Sequence, residues 1–302
     1  MMKLSHESRV RLGVGIGAFV LIIGLVFGIS RILIHFDEPW NLGAVAIDWP
    51  GKGSGNVAID WPGKGGGNYS ARLQQLSSET FDADAFTSLD LDVTSGTVEV
   101  KHVSGGPVRV IESGRVAKGT TAYDAATQNL AEIKGSTLKI SQFDCDDERA
   151  IDRTVTVELP REVADSLVGI TANVGLGDLT VTGIACHDLN LTLDSGDVEF
   201  TGTVTDTLNA EVGLGDATFE LYPAPAKSMD VSVGTGDVEI TVPNSTGFKA
   251  SLTLGCGDFE SDFLPDSYDG EMVSDLEFDN GDKSATYRFE VGLGDMSFDS
   301  EY

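Results

Sequence analysis

Six aspartates, each directly after a glycine, recur in the second half of this 302-residue chain and are the residues best suited to chemistry. Carboxylates at a regular spacing could bind calcium, because hard cations prefer several carboxylate and carbonyl oxygens. The alternative is structural: each carboxylate accepts backbone N–H bonds at its own turn and is otherwise solvated. The first five glycines are separated by 19, 19, 21 and 21 residues in the set Gly177-Asp178, Gly196-Asp197, Gly215-Asp216, Gly236-Asp237, Gly257-Asp258 and Gly294-Asp295.

The sequence favours the structural interpretation of these aspartates. Carboxylates stacked about 4.8 Å apart would repel one another by about 1 kcal/mol in water, so the fold must offset that repulsion. The repeat, however, lacks the GGxGxDxUx nonapeptide that is typical of calcium-binding β-rolls. We therefore predict no metal ligands, no cofactor-binding residues and no catalytic residues, and we expect no cofactor.

Residues around each Gly-Asp pair align in columns with the periodicity of β-strands. Spacing by two places alternate side chains on one face of a strand, so each unit is a strand, a tight turn and a strand. We expect column residues such as Val212 and Val233 to be buried, and Ser261 alone breaks the apolar pattern. Five and three positions before the glycine, and two and four after it, the columns read Ala172, Leu191, Ala210, Val231, Leu252, Phe289; Val174, Leu193, Val212, Val233, Leu254, Val291; Leu179, Val198, Ala217, Val238, Phe259, Met296; and Val181, Phe200, Phe219, Ile240, Ser261, Phe298.

Such a short unit cannot bury its apolar face alone and must stack on its neighbours. We therefore predict an all-β fold, a β-solenoid whose coils pair through their backbones about 4.8 Å apart. An antiparallel sandwich or barrel of hairpins is the alternative, but it does not predict aligned columns around one repeated turn. Gly96, with Leu91, Val93, Val98 and Val100 in the apolar columns, extends the register upstream.

The pattern is less regular before residue 160 and after residue 263. We expect strands at residues 89–100, 108–112, 132–140 and 154–159, and a short helix or loop at residues 121–130. The sequence Asp279-Asn280-Gly281-Asp282, between strand-like residues 276–278 and 286–289, is typical of a hairpin turn. That hairpin would account for the longer interval of 37 residues between Gly257 and Gly294.

The first 36 residues are a different kind of sequence. Residues 12–30 are uncharged and mostly apolar, long enough to cross a membrane as a helix, and Lys3, Arg9 and Arg11 precede them. The positive-inside rule places the N-terminus in the cytoplasm. A cleaved signal peptide would have a shorter apolar region and a small-residue cleavage site, which Val26-Phe27-Gly28 matches poorly. We predict a cytoplasmic segment at residues 1–11, a transmembrane helix at 12–34 and an extracytoplasmic C-terminal domain.

Residues 35–75 are predicted to be a Gly/Pro-rich linker. Residues 45–56 (VAIDWPGKGSGN) and 57–68 (VAIDWPGKGGGN) are a tandem duplication that differs only at Ser54 and Gly66. This composition favours a flexible segment with at most a short strand at Val-Ala-Ile. The GKG sequence lacks the glycine spacing and the following Ser or Thr of a phosphate loop, which argues against nucleotide binding. The solenoid would then occupy residues 76–302, irregular to about residue 160 and regular afterwards.

The chain beyond the membrane segment is strongly acidic. Of 20 basic and 48 acidic side chains, residues 1–36 hold four and one, so the remaining 266 residues hold 16 and 47 and carry a formal charge of −31. A domain with that charge repels nucleic acid, which excludes nucleic-acid binding. The three cysteines, Cys145, Cys186 and Cys256, form no CxxC and are odd in number, which argues against a disulfide scaffold.

Residues 154–263 resemble a known family. A VTVELP strand at residues 155–160, followed by repeated V-G-x-G-D-V-x-V units, is similar to the bacterial "putative adhesin" family of β-strand-repeat domains of unknown function. The resemblance covers roughly residues 80–302. It implies an envelope-exposed, non-catalytic β-solenoid, often behind one transmembrane helix, and it implies no particular ligand.

We therefore expect a non-enzymatic, membrane-anchored contact or scaffold module at the cell surface, with the membrane as one partner and an unknown protein or glycan as another. The alternative is an envelope-stress or regulatory protein whose ectodomain binds another membrane protein. A polysaccharide-acting β-helix enzyme is a further alternative. Such an enzyme usually needs basic residues or a metal to hold an anionic substrate, and residues 169–263 offer only Lys227, Lys249 and His187.

Overall fold

The computed structural model describes residues 31–38, 41–48, 69, 70, 72–142, 149–223, 226–264 and 275–301. The chain divides into two units, residues 1–66 and 67–302. In the first unit, β1 (Arg31–Glu38) pairs antiparallel with β2 (Asn41–Asp48). The short strand expected at Val-Ala-Ile is thus part of β2.

The predicted transmembrane helix falls mostly on residues 12–30, which lie outside the described residues. Its last four residues, 31–34, lie in β1, where β-branched Ile32 and Ile34 suit an extended backbone. Within the part of the chain that the structure describes, no helix combines the length and the apolar character needed to cross a membrane.

The second unit contains strands and two short helices, α1 (Ala122–Ala125) and α2 (Arg161–Ala164). Helix α1 lies within the predicted helical segment, and α2, which directly follows the strand ending at Pro160, was not predicted. The strands are β3 (Gln74–Phe81), β4 (Ser88–Ser95), β5 (Thr97–Val103), β6 (Val108–Val116), β7 (Ala131–Lys134), β8 (Thr137–Gln142), β9 (Ala150–Pro160), β10 (Leu167–Leu176), β11 (Leu179–Ser195), β12 (Val198–Leu214), β13 (Ala217–Leu221), β14 (Ser228–Thr235), β15 (Val238–Pro243), β16 (Phe248–Cys256), β17 (Phe259–Ser261), β18 (Asp275–Asn280), β19 (Ala285–Leu293) and β20 (Met296–Glu301).

Each regular coil of this unit consists of a strand, a glycine corner and a second strand. Strands before the corners stack in parallel into one sheet, and strands after the corners stack in parallel into another. The 17-residue strands β11 and β12 run from the second sheet of one coil into the first sheet of the next and join the two sheets. The prediction of an all-β, solenoid-like fold is therefore confirmed, and the sandwich or barrel of hairpins is wrong.

The coils do not stack in the order of the chain. Between the coils of Gly236 (β14 and β15) and Gly257 (β16 and β17) lies the last coil of the chain, that of Gly294 (β19 and β20). A similar insertion occurs at the other end, where β4 and β5 lie between β8 and β9 on one side and β10 and β11 on the other. In space, the corner glycines follow the order Gly96, Gly177, Gly196, Gly215, Gly236, Gly294 and Gly257.

This insertion corrects the predicted hairpin at Asp279 to Asp282. Strand β18 pairs antiparallel with one edge of β16, whereas β19 pairs in parallel with its opposite edge, so β18 and β19 flank β16 instead of pairing with each other. The turn, with Gly281 and Lys283 at φ of 57° and 59°, carries the chain around the end of β16. The turn residues were recognised correctly, but the alternating apolar residues of β19 fit the central stack better than an exposed hairpin.

Antiparallel or short strands close the ends of the stack. Strands β7 and β18 cover the two ends of the first sheet, and β3 and β6 cover one end of the second. At the remaining end β17 has only three residues, and beyond it the Asp262 carboxylate accepts the Ser300 N–H at 3.2 Å. Short edge strands and charged edge residues oppose edge-to-edge aggregation of sheets.

The apolar columns fill the space between the two sheets. Val212 and Val233 are each 1% exposed, which confirms the prediction that they are buried. Ser261, the exception in the columns, is also buried, and its hydroxyl donates to the Phe298 carbonyl at 2.6 Å and accepts the Phe263 N–H at 3.2 Å. A polar side chain is tolerated there because both of these hydrogen bonds are made inside the fold.

Candidate functional site: the aspartate ladder

The six corner aspartates form one hydrogen-bonded ladder along an edge of the solenoid. In each step, Oδ1 of one aspartate accepts the backbone N–H of the aspartate in the next coil. This corrects the expectation that each carboxylate binds N–H groups at its own corner. The steps are Asp178 to Asp197 (3.1 Å), Asp197 to Asp216 (2.9 Å), Asp216 to Asp237 (2.8 Å), Asp237 to Asp295 (2.8 Å) and Asp295 to Asp258 (2.9 Å).

The ladder completes the backbone pairing where the chain turns. At one corner the N–H groups of Gly215 and Ala217 donate to the carbonyls of Thr235 and Asp237 in the next coil. The N–H of Asp216, which lies between them, donates in the opposite direction, to Asp197 Oδ1. A carboxylate oxygen thus serves as the acceptor for a backbone donor at the corner. Asn has an equivalent oxygen, so this role needs the shape of the side chain and not its charge.

Glycine is required at the corner by both conformation and space. Gly215 has φ of 136°, a conformation that residues with a Cβ rarely adopt. A Cβ there would lie 1.9 Å from the carbonyl oxygen of Gly196 in the preceding coil. Only glycine lets the backbones approach closely enough for the aspartate hydrogen bond to form.

A second outward column, two residues after the aspartates, shows how the fold handles charge. From one end of the stack to the other, carboxylates and hydroxyls alternate in the order Thr156, Glu99, Thr180, Glu199, Thr218, Glu239, Ser297 and Glu260. The insertion of β20 places Ser297 between Glu239 and Glu260, which direct stacking of β17 on β15 would have made neighbours. Glutamates are thereby two coils apart, about 9.6 Å, which roughly halves their repulsion.

The aspartate ladder is therefore an exception on this surface, because its carboxylates occupy adjacent coils and all six residues are exposed to solvent. Hydrogen bonds from backbone N–H groups stabilise ionised carboxylates and offset part of their mutual repulsion. Among the described residues, no three His, Cys, Asp or Glu side chains are placed to hold a metal ion. The hydrogen bonds between coils give the aspartates a structural role.

Beside the ladder lies an open, shallow groove of about 430 Å³. Asp216, Asp237, Asp295 and Asp258 line one side of it, and the other lining residues include Glu239 and Glu260. None of the described residues that line this groove is basic. Its chemistry therefore suits a cationic surface rather than an anionic substrate.

One polar cluster was missed by the sequence analysis. Glu112 is fully buried and accepts hydrogen bonds from Arg153 Nη1 at 2.6 Å and from the Thr127 N–H and hydroxyl at 2.7 Å each. Arg153 Nη2 also donates to the Ala125 carbonyl at 2.9 Å, which fixes α1 against β9. The sequence does contain a sign that Glu112 is buried. Glu112 has the same spacing of two as Val108 and Val110, which face inward on an alternating strand.

The two cysteines in the described residues are unpaired and lie in different environments. Cys186 is buried, and burial, followed by the nearby Asp188 carboxylate, raises its pKa to about 12. This thiol therefore stays protonated and inert at neutral pH. Cys256 is exposed at the corner of the Gly257 coil, and Cys145 lies outside the described residues.

Comparison with solved structures finds weak similarity to several bacterial proteins. A "putative cell adhesion protein" from Clostridium sporogenes is 13% identical with a TM-score of 0.40, and the match covers 76% of this chain and 100% of that one. A "putative adhesin" from Bacteroides fragilis is 14% identical with a TM-score of 0.34, over 77% and 98% of the two chains. A "putative lipid binding protein" from Parabacteroides distasonis is 10% identical with a TM-score of 0.26, over 78% and 98%. Similarity this low carries no argument about function.

No curated protein matches the sequence. A family model, described as Toastrack DUF4097, matches residues 53–297, which is most of the chain and includes all seven corner glycines. The resemblance to β-strand-repeat domains of unknown function is thereby confirmed, and the chain belongs to the Toastrack DUF4097 family.

Proposed function

We propose that this protein is a non-catalytic, adhesin-like contact or scaffold module that one N-terminal transmembrane helix anchors at the cell surface. The observation that carries the proposal is the regular display of side chains on a stack of at least seven coils. The aspartate ladder and the Glu/hydroxyl column extend along this stack with a repeat of about 4.8 Å. A rigid frame that repeats the same chemistry along its length suits contact with an extended surface.

The chemistry of the grooves also supports a contact role. The groove beside the ladder is open and acidic, and the interior between the sheets is filled with apolar side chains. At the surface, Asp206 pairs with Lys227 and lies 3.5 Å from His187, and the hydrogen bond with Lys227 lowers the pKa of Asp206. That carboxylate stays ionised and ion-paired, unlike a general acid or base, whose pKa lies near the working pH.

Anchoring is proposed from the sequence of residues 12–30. Their apolar length is sufficient for one membrane crossing, and the basic residues on their N-terminal side favour a cytoplasmic N-terminus. This orientation would place residues 67–302 outside the membrane, where their negative charge keeps the domain soluble and away from anionic lipid headgroups.

The test uses full-length protein with different epitope tags at Met1 and Tyr302, expressed in bacterial cells. For the surface location, a protease added to intact cells should remove the C-terminal tag and leave the N-terminal tag. Cells that display the wild-type protein should also adhere to one another or to a host surface more than cells that display Val212→Asp, which we expect to be destabilised because Val212 is buried. A protected C-terminus would overturn the surface location, and equal adhesion would overturn the contact role.

A further inference from the structure

A third outward column consists of the residue directly before each corner glycine, on the side opposite the aspartates. Large apolar and small residues alternate strictly along it once the coils are placed in their spatial order. Leu176 and Leu293 are 59% and 36% exposed, and Leu214 is half-buried. The column reads Ser95, Leu176, Ser195, Leu214, Thr235, Leu293 and Cys256.

Folding does not require these leucines. Ser95, Ser195 and Thr235 occupy the equivalent position in neighbouring coils, with the same register and the same type of corner. Water-exposed apolar side chains forfeit most of the free energy that burial would provide. Single exposed leucines are ordinary on protein surfaces, but three in register along one edge form a repeated apolar feature.

The aspartate ladder defines the charge of a partner for this edge. Each leucine lies two residues from a corner aspartate, across the glycine, as in Leu214 and Asp216. The edge therefore carries a row of leucines beside a continuous row of carboxylates. A complementary partner needs apolar groups for the first row and cationic groups for the second, because like charges across an interface repel each other.

The spacing of the leucines selects the conformation of that partner. Consecutive leucines lie two coil steps apart, with one coil between them, so the distance from one to the next is about 9.6 Å. A polyproline II helix repeats every three residues, or about 9.3 Å. An α-helix repeats the same face every seven residues, or about 10.5 Å, and a strand every two residues, or about 6.6 Å. Over the two intervals from Leu176 to Leu293, polyproline II stays in register to within about 0.6 Å.

We propose that the corner edge formed by Leu176, Leu214, Leu293 and the aspartate ladder binds a basic, proline-rich segment of a partner protein in the polyproline II conformation. Proline rings would contact the leucines, and lysine or arginine side chains would lie over the carboxylates. A preformed polyproline II helix also loses little conformational entropy on binding. This proposal rests on the contact function proposed above, since it names the chemistry of a partner for that surface.

The probe is the peptide (Pro-Pro-Lys)4, and its control is (Gly-Gly-Lys)4, which has the same charge and length but no polyproline preference. Fluorescence anisotropy with full-length protein in detergent micelles should show at least tenfold tighter binding of the proline peptide. The triple variant Leu176→Ser, Leu214→Ser, Leu293→Ser copies residues already present in the column, so its Tm should stay unchanged. It should bind the proline peptide at least tenfold more weakly and the glycine peptide as before.

The proposal would be overturned by equal affinity for the two peptides, by undiminished binding of the proline peptide to the triple variant, or by tighter binding of a helical peptide with four lysines at heptad spacing. Absence of binding by the wild-type protein would also overturn it. These outcomes are separate from the test of the contact function. Cells that adhere through a folded protein that ignores the proline peptide would retain that function and lose only this partner.

Discussion

The backbone N–H of Asp295 donates to Oδ1 of Asp237 at 2.8 Å, although 58 residues separate them in the chain. In the order of the chain, the coil after that of Asp237 is the coil of Asp258. The backbone N–H of Asp258 instead donates to Oδ1 of Asp295 at 2.9 Å. This pair of bonds shows that the last coil lies between two earlier ones. The coil of Gly294 is therefore paired on both sides.

Replacing Asp216 with Asn should leave stability unchanged or slightly raised. Asn keeps an Oδ1 acceptor for the Asp237 N–H and removes one of several neighbouring like charges. Asp216→Ala should instead cost about 1 kcal/mol, because it removes the acceptor. Thermal melts of the three proteins, each with millimolar calcium and with chelator, give the comparison. A wild-type Tm that falls by more than about 5 °C on chelation, with Asp216→Asn insensitive, would make the ladder a calcium site.

Replacing Val212 with Asp should destabilise the protein by several kcal/mol. The side chain is 1% exposed, so the new carboxylate would be buried among apolar neighbours without a partner. Glu211→Gln, at the exposed neighbouring position, is the control and should change stability by no more than about 0.5 kcal/mol. Urea unfolding followed by circular dichroism measures both. Similar midpoints for the two variants would mean that the apolar columns face solvent.

Replacing Glu112 with Gln should cost about 3 kcal/mol. Gln cannot supply the negative charge that balances Arg153, whose side chain is only 9% exposed. The matched control is Glu99→Gln, because Glu99 pairs with Lys101 at the surface, with side chains more than a third exposed, where such pairs contribute little. Chemical unfolding of both variants tests this difference. If the two losses were equal, the buried pair would have no special role.

Cys186 and Cys256 should differ in their reactivity toward a thiol reagent. Cys256 is exposed and should react with a disulfide reagent at pH 8, whereas Cys186 should react only when the protein unfolds. Burial raises the Cys186 pKa from 9.0 to about 12, so the stability that this group contributes is fully present below pH 9 and is lost as pH rises through 12. A Cys145→Ser background leaves these two thiols for counting. Rapid reaction of both thiols at pH 8 would contradict the buried position of Cys186.

The sequence was sufficient to predict the solenoid-like fold and the buried columns, because the period-two apolar residues around each Gly-Asp corner satisfy only a stacked arrangement. It could not predict the order of the coils. Val291 and Leu254 fit the same column equally well, so local pattern does not distinguish a coil at the end of the stack from one inserted before it. The Asp279 to Asp282 turn pointed to the wrong pairing for the same reason.

The role of the aspartates was also only partly predictable. A structural role followed from their place in a tight turn, but the bond from Asp216 to the next coil depends on how closely the backbones approach at Gly215 and Gly236. The alternation of leucines and of glutamates along the outer columns appears only after β19 and β20 are moved into their spatial positions. Both surface patterns are therefore properties of the fold and not of the linear sequence.

The order of the coils supports the ladder, the alternating charges and the leucine spacing together, and disulfide cross-linking tests it most directly. Two double variants are compared in a Cys256→Ser background: Glu239→Cys with Ser297→Cys, and Glu239→Cys with Glu260→Cys. Residues 239 and 297 are paired in adjacent strands, about 4.8 Å apart, whereas 239 and 260 are two strands apart, beyond the reach of a disulfide. We predict rapid oxidation of the first pair and none of the second within folded monomers, measured by gel mobility and mass spectrometry. Oxidation of the second pair but not the first would show that the coils stack in chain order and would contradict the account.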